Sequence, residues 1–133
     1  MRIQNYEFRI QNEDDEMNNV VLEKSKAFAI RTVKLYRYLC DEKREYVLSK
    51  QLLRSGTSIG ANCREASRAQ STADFVAKLS IALKKAEETA YWLELLNETD
   101  YLDDQQFQSI NTDSEELIKL LVSIIKTTKS NNS

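Results

Sequence analysis

The sequence predicts an all-α protein, an antiparallel up-down-up-down four-helix bundle, and three observations carry that prediction. The chain of 133 residues has no proline and only two glycines, so few residues are suited to tight turns. Leu, Ala, Lys, Glu and Gln, all good helix formers, are abundant. Apolar residues recur at steps of three and four in four segments separated by short polar breaks. At this length, and with 41% hydrophobic residues, one core is expected, hence one bundle domain over residues 18–129.

The segment before that domain, "MRIQNYEFRIQNEDDEM", repeats "RIQN" and then runs acidic from Glu13 to Glu16. Residues 1–17 therefore read as a weakly structured, flexible acidic tail, and Met17 is a second candidate start beside Met1. Helix one is expected from Asn19 to about Lys43, with Val21, Phe28, Leu35 and Leu39 on one face and Leu22, Ala29, Val33, Tyr36 and Cys40 widening it. Helix two is expected from about Tyr46 to Ala69, carried by Leu48, Leu52, Ser55, Ile59, Cys63 and Ala66. Ser71 followed by Asp74 has the spacing of a capping box and starts helix three, whose core face is Phe75, Leu79, Ala82, Leu83, Ala86, Ala90 and Leu93, ending near Asn97. After the polar "NETDYLDD", helix four is expected from about Asp103, with Phe107, Ile110, Ser114, Leu117, Leu121, Ile124 and Thr128 inward. Residues 130–133 read as a disordered C-terminus. Short connections make sequential helices antiparallel neighbours.

Both glycines fall inside helix two, in "RSGTSIGAN". A phosphate-binding loop would need a preceding strand and a following lysine, and neither is present. On a helix, Ser49, Gly56, Gly60 and Ser67 form a narrow stripe of small side chains along which another helix can approach closely. That approach would offset the roughly 1 kcal/mol that each interior glycine costs relative to alanine. Ser55 and Asn62 point toward the core side, where each has two readings, a bond to its own preceding turn or an interhelical polar network.

Composition also excludes functions. Without histidine the chain has no Ser-His-Asp or Cys-His centre, ordinary zinc site, haem proximal ligand or Glu-x-x-His di-iron repeat. Cys40 and Cys63 lack metal-ligand spacing and read as packed thiols of a reducing compartment. No apolar run approaches the roughly 20 residues of a membrane span, and no signal segment is evident, so a cytoplasmic protein is expected. Glu65, Glu87 and Glu88 read as ordinary solvated carboxylates, with Arg64–Glu65 and Lys84–Glu88 as surface pairs. No enzyme activity, cofactor, metal or small-molecule substrate is expected.

"SKQLLRSGTSIGANCREA" (49–66) followed by "DFVAKLSIALKKAEETAYWLELL" (74–96) closely resembles the bacterial four-helix-bundle family of proteins encoded in intervening sequences of 23S ribosomal RNA genes. The resemblance extends from about Val20 to Ile125. It implies a left-handed bundle that assembles as a homopentamer, with no known catalytic activity. Related proteins are accessory factors of diversity-generating retroelements, in which a strongly basic pentamer binds reverse transcriptase and nucleic acid. This chain departs from that branch, because its net charge is −2.

The charge is nevertheless polarised. Residues 18–70 carry eleven Lys and Arg against five acids, whereas residues 71–133 carry six against eleven. Lys26, Lys34, Arg37, Arg44, Arg64 and Arg68 are candidate nucleic-acid contacts. The bland alternative is a solvated face, or cations that meet the acidic hairpin of a neighbouring subunit. On helix three, Ile81, Trp92 and Leu95, with Lys85 and Glu88, form a candidate oligomer interface opposite the core face. The expectation is a non-enzymatic homo-oligomeric scaffold whose candidate client is structured RNA or an RNA-processing partner. The alternative is a protein-binding accessory subunit with no nucleic-acid contact.

Overall fold

The structure, a computed structural model, describes the backbone of residues 2–131 and the side chains of residues 16–131. It consists of α1 (Arg2–Asp41), α2 (Leu48–Ala66), α3 (Thr72–Glu98) and α4 (Asp104–Asn131), with no strand among the described residues. The all-α four-helix expectation holds. Each helix packs on the next, and α4 closes against α1. Numbers rise on one helix as they fall on its neighbour: Ser25 and Thr32 of α1 face Gly60 and Gly56 of α2. Ser55 and Glu65 of α2 meet Thr89 and Lys78 of α3, and Lys24 and Arg31 meet Glu116 and Asp113 of α4.

The helix ends differ from expectation in instructive ways. α1 starts at Arg2, so residues 2–16, expected to be weakly structured, are helical backbone continuous with the packed part. That stretch contains no glycine or proline, and a helix already nucleated by packing propagates through such residues at little cost. α4 likewise continues through Ser130 and Asn131, while the end of the expected disordered C-terminus, residues 132–133, lies outside the described residues. α2 ends at Ala66, three residues early, because the chain tightens there: Arg68 N–H donates to Glu65 O (3.1 Å) and Ala69 N–H to Ala66 O (3.0 Å).

Turns are made without glycine. Arg44 (φ 53°) and Asp100 (φ 67°) occupy the left-handed region, which costs a residue with a Cβ about 1–2 kcal/mol. Around Asp100, Tyr101 N–H donates to Leu96 O (2.9 Å) and Asp100 N–H to Asn97 O (3.1 Å), the bond pair of a Schellman motif. Leu102, which follows, is buried and plugs that end of the core. At the start of α3, Asp74 N–H donates to Ser71 Oγ (3.0 Å), as the spacing predicts. The start of α4 is a reciprocal capping box, with Gln106 N–H on Asp103 Oδ1 (2.7 Å) and Asp103 N–H on Gln106 Oε1 (3.0 Å).

The core contains the expected apolar positions, including Phe28, Leu39, Leu52, Ile59, Leu79, Leu93 and Leu121. Leu35, Leu48, Phe75, Leu83 and Phe107 are only half-buried and flank it. Polar residues fill places that apolar periodicity skipped: Ser25, Thr32, Ser49, Ser55, Thr89 and Ser114 are all buried. Most of their hydroxyls are satisfied by a carbonyl one turn back, as in Thr32 Oγ1 to Phe28 O (2.9 Å) and Thr89 Oγ1 to Lys85 O (2.7 Å). Burial therefore leaves no described side-chain donor or acceptor without a partner.

Candidate interaction surfaces

The small-residue stripe faces α1, where it meets small polar side chains. A Cβ placed on Gly56 would lie 2.6 Å from Thr32 Cγ2 and 2.7 Å from Thr32 Oγ1; one on Gly60 would lie 3.3 Å from the Ser25 carbonyl oxygen. Ser49 is buried in the same seam, with its Oγ 3.7 Å from Cys40 Sγ. Ser67 does not belong to the stripe: it is exposed at the C-cap of α2, and its hydroxyl donates to Arg64 O (2.6 Å), because α2 has ended before it can pack. The two residues of "RSGTSIGAN" expected to point toward the core side, Ser55 and Asn62, separate. Ser55 and Thr89 hydroxyls lie 2.9 Å apart across α2 and α3, an interhelical link, whereas Asn62 donates to Ser58 O (2.8 Å) within its own helix. Beside the glycines, burial pushes the Cys63 thiol up to about 11 despite the opposing effect of Ser25, so it stays a neutral packed group.

The six candidate cations do not form one patch. Lys26 and Arg64 share a groove of about 360 Å³ between α1 and α2, floored by Gly60 and Ala61 and walled by Leu22, Ala29 and Thr57. Lys34 lies on another groove, about 510 Å³, between α1 and α4, with Arg31, Leu35, Tyr38 and Ile110. Arg37 is exposed on α1, Arg44 on the α1–α2 connection and Arg68 in the turn after α2. Lys26 and Lys34 are eight residues apart, which at 100° per residue places them about 80° apart around α1. That offset divides them between two seams. None of the six forms an ion pair with a described residue, in contrast to the four cations that do.

Those four are spent inside the bundle. Lys24 pairs with Glu116, and this hydrogen-bonded partner holds the ammonium above its ordinary pKa. Arg31 Nη1 reaches Asp113 Oδ2 (2.6 Å) and Ser109 O (3.1 Å), so the basic and acidic hairpins of one chain meet along the α1–α4 seam. Glu65 turns away from Arg64 to Lys78 of α3 (3.3 Å). Glu88 pairs with Lys85 (3.6 Å) and not Lys84, because its other oxygen accepts from Trp92 Nε1 (3.0 Å) on the same side of α3.

The expected α3 patch is only half-exposed. Ile81 is 41% exposed, while Trp92 packs against the core with its edge toward Tyr91 (ring centroids 5.2 Å apart). Lys85, Glu88 and Leu95 are half-buried along the same stripe. Tyr91, at 56%, is more open than the tryptophan, a feature that single-sequence periodicity missed. A further cavity, about 330 Å³ where α2 turns into α3, is lined by Asn18, Gln70, Thr72, Phe75 and other uncharged residues.

Sequence periodicity also missed Glu45, the buried carboxylate of the α1–α2 connection. It accepts from the N–H groups of Val47 (3.0 Å), Leu48 (2.7 Å) and Ser49 (2.7 Å), capping α2 from outside the helix. Burial alone would raise its pKa; the three amides together outweigh this and hold it below its ordinary value.

Fold and surfaces thus define an all-α bundle with charged grooves and, among the described residues, no cluster able to hold a metal ion. Among the described residues no helix is long and apolar enough to cross a membrane. Residues 17–123 match the model of the 23S rRNA-intervening sequence protein family, and the chain belongs to that family. It is also similar to the 1.70 Å crystal structure of a protein with unknown function from the S23 ribosomal protein family of Bacteroides thetaiotaomicron VPI-5482. The two are 62% identical with a TM-score of 0.82, over 83% of this chain and 98% of that one. Among curated proteins nothing matches.

Proposed function

We propose that this protein acts by binding and not by catalysis, as a cytoplasmic homo-oligomeric scaffold whose basic α1–α2 hairpin meets structured RNA. The observation that carries the reading is the uncommitted state of Lys26, Lys34, Arg37, Arg44, Arg64 and Arg68, none of which is neutralised by a described residue. Phosphate contact depends on such cations and tolerates a net negative charge elsewhere on the molecule. Titrating a labelled structured RNA at 50 and 200 mM salt tests it. Neutralising three or four phosphates of a base-paired RNA gives a loss of roughly 40- to 150-fold between those salts. Absent or salt-insensitive binding removes RNA as the client.

Self-association is supported by the α3 stripe, where an exposed apolar residue adjoins a half-buried tryptophan. The pentamer that the family resemblance implies is the oligomer proposed. Ile81→Glu is the cleaner probe, because Trp92 also serves the core; its expected result is a smaller sedimenting species with unchanged helicity. Sedimentation identical to that of the parent would exclude this stripe from the interface. The apolar walls of the Lys26–Arg64 groove favour a second reading, an accessory subunit that binds only protein.

A further inference from the structure

We infer that the tip of the α1–α2 hairpin is a stacking site for an unpaired nucleobase, with Tyr46 as the platform and Lys43, Arg44 and Lys50 as flanking phosphate contacts. Tyr46 and Val47 are 58% and 72% exposed, the two highest values among the exposed large hydrophobic residues whose side chains are described, and they are consecutive. Their exposure belongs to an ordered connection. The Glu45 carboxylate holds three successive amides, Glu45 N–H donates to Leu39 O (3.0 Å), and Ser49 Oγ donates to Glu45 O (2.7 Å). A side chain carried on a backbone already held in place loses less freedom on binding than one on a mobile loop, so more of its contact area is converted to affinity.

The same clamp changes the local charge. In the sequence "DEKREYVLSK" (41–50) three cations and three acids cancel. In the structure Glu45 is turned inward and its charge is spent on α2 amides, leaving Lys43, Arg44 and Lys50 exposed against Asp41 and Glu42. An exposed aromatic ring with an excess of flanking cations is the arrangement that binds unpaired bases, because every base offers a π-face and its phosphates take up the cations.

This inference rests on the RNA reading above, and the test separates the two. A labelled RNA hairpin with an unpaired loop and a fully paired duplex of equal length are titrated against the full chain, its Tyr46→Ala and Tyr46→Phe variants, and Tyr46→Trp. Tyr46→Ala is expected to weaken binding of the looped RNA at least about 5-fold and to leave duplex binding unchanged, while Tyr46→Phe retains parental affinity. Tyr46→Trp is expected to show indole fluorescence quenching by the looped RNA and not by the duplex, a signal that a structural role would not produce. If the parent binds RNA and Tyr46→Ala binds the loop equally well, the tip assignment is wrong and the RNA reading stands. Should Tyr46→Ala weaken loop and duplex alike, the stacking assignment also falls. If the parent binds neither RNA, both fall, and Tyr46 and Val47 belong to a protein contact.

Discussion

Gly56→Ala will lower the melting temperature, although alanine is the better helix former by about 1 kcal/mol. The new Cβ would sit 2.6 Å from Thr32 Cγ2 and 2.7 Å from Thr32 Oγ1, closer than non-bonded atoms tolerate. Thr32 cannot easily yield, since its Oγ1 is bonded to Phe28 O at 2.9 Å and its Cβ would itself be only 3.1 Å away. Either the threonine leaves its rotamer or α1 moves off α2. Overpacking costs about 1–3 kcal/mol and a contact this short belongs to the upper part of that range, so after the propensity gain a net loss of about 1–2 kcal/mol lowers the melting temperature by roughly 3–10 °C. Gly60→Ala, with its nearest contact at 3.3 Å, will cost less. Thr32→Ala in the Gly56→Ala background will recover part of the loss, because the two nearest obstructing atoms are gone. Thermal unfolding of the four chains measures this coupling, and a Gly56→Ala protein as stable as the parent would show that the seam is not tight.

Glu45→Ala will destabilise the protein by about 2–3 kcal/mol. Three amides lose a charged acceptor, one of them the N–H of buried Ser49, and the first turn of α2 loses its cap. Glu45→Gln keeps an acceptor oxygen without the charge and will cost less. The pH dependence follows from the direction of the shift. The folded-state pKa lies below the ordinary value of 4.5, so the unfolded chain takes up the proton first on acidification. The stabilisation is complete above pH 4.5 and is lost as pH falls through the lower folded pKa. Urea unfolding from pH 7 to pH 3 will therefore show a steeper loss for the parent than for Glu45→Gln. Parallel profiles would mean that the carboxylate contributes nothing through its charge.

These two residues mark what could and could not be read in advance. Gly56 was legible because a glycine inside a strongly periodic helical segment needs a packing reason, and Ser49, Gly56 and Gly60 share a helix side by spacing alone. Its partner was not legible: Thr32 lies 24 positions earlier, and a threonine among apolar residues carries no mark of the helix it will face. Ser67 satisfied the spacing rule and failed in space, because the helix ended at Ala66. Glu45 gave no signal, since the donors to its carboxylate are backbone amides two to four residues ahead and any sequence has those. The cap at Ser71 was legible because its bond runs between residues at a fixed separation of three.

The candidate cations show the same division. Their identity and their excess in residues 18–70 are properties of composition, whereas their grouping depends on where a helix of 3.6 residues per turn carries each one. Lys26 and Arg64, 38 positions apart, became neighbours across one groove, while Lys34, eight positions from Lys26, went to another. Lys24 and Arg31 were drawn into pairs with α4 that only the closing of the bundle creates.

By itself the sequence determined the number and order of the helices, their approximate limits apart from the start of α1, their inward apolar faces and the family, because periodicity, capping and breakers act over a few residues. Tertiary structure decided which seams are tight, which cations remain uncommitted and which carboxylate is turned inward. Those outcomes depend on distances between side chains far apart in the chain, which are set only when all four helices pack and every buried polar group must find a partner.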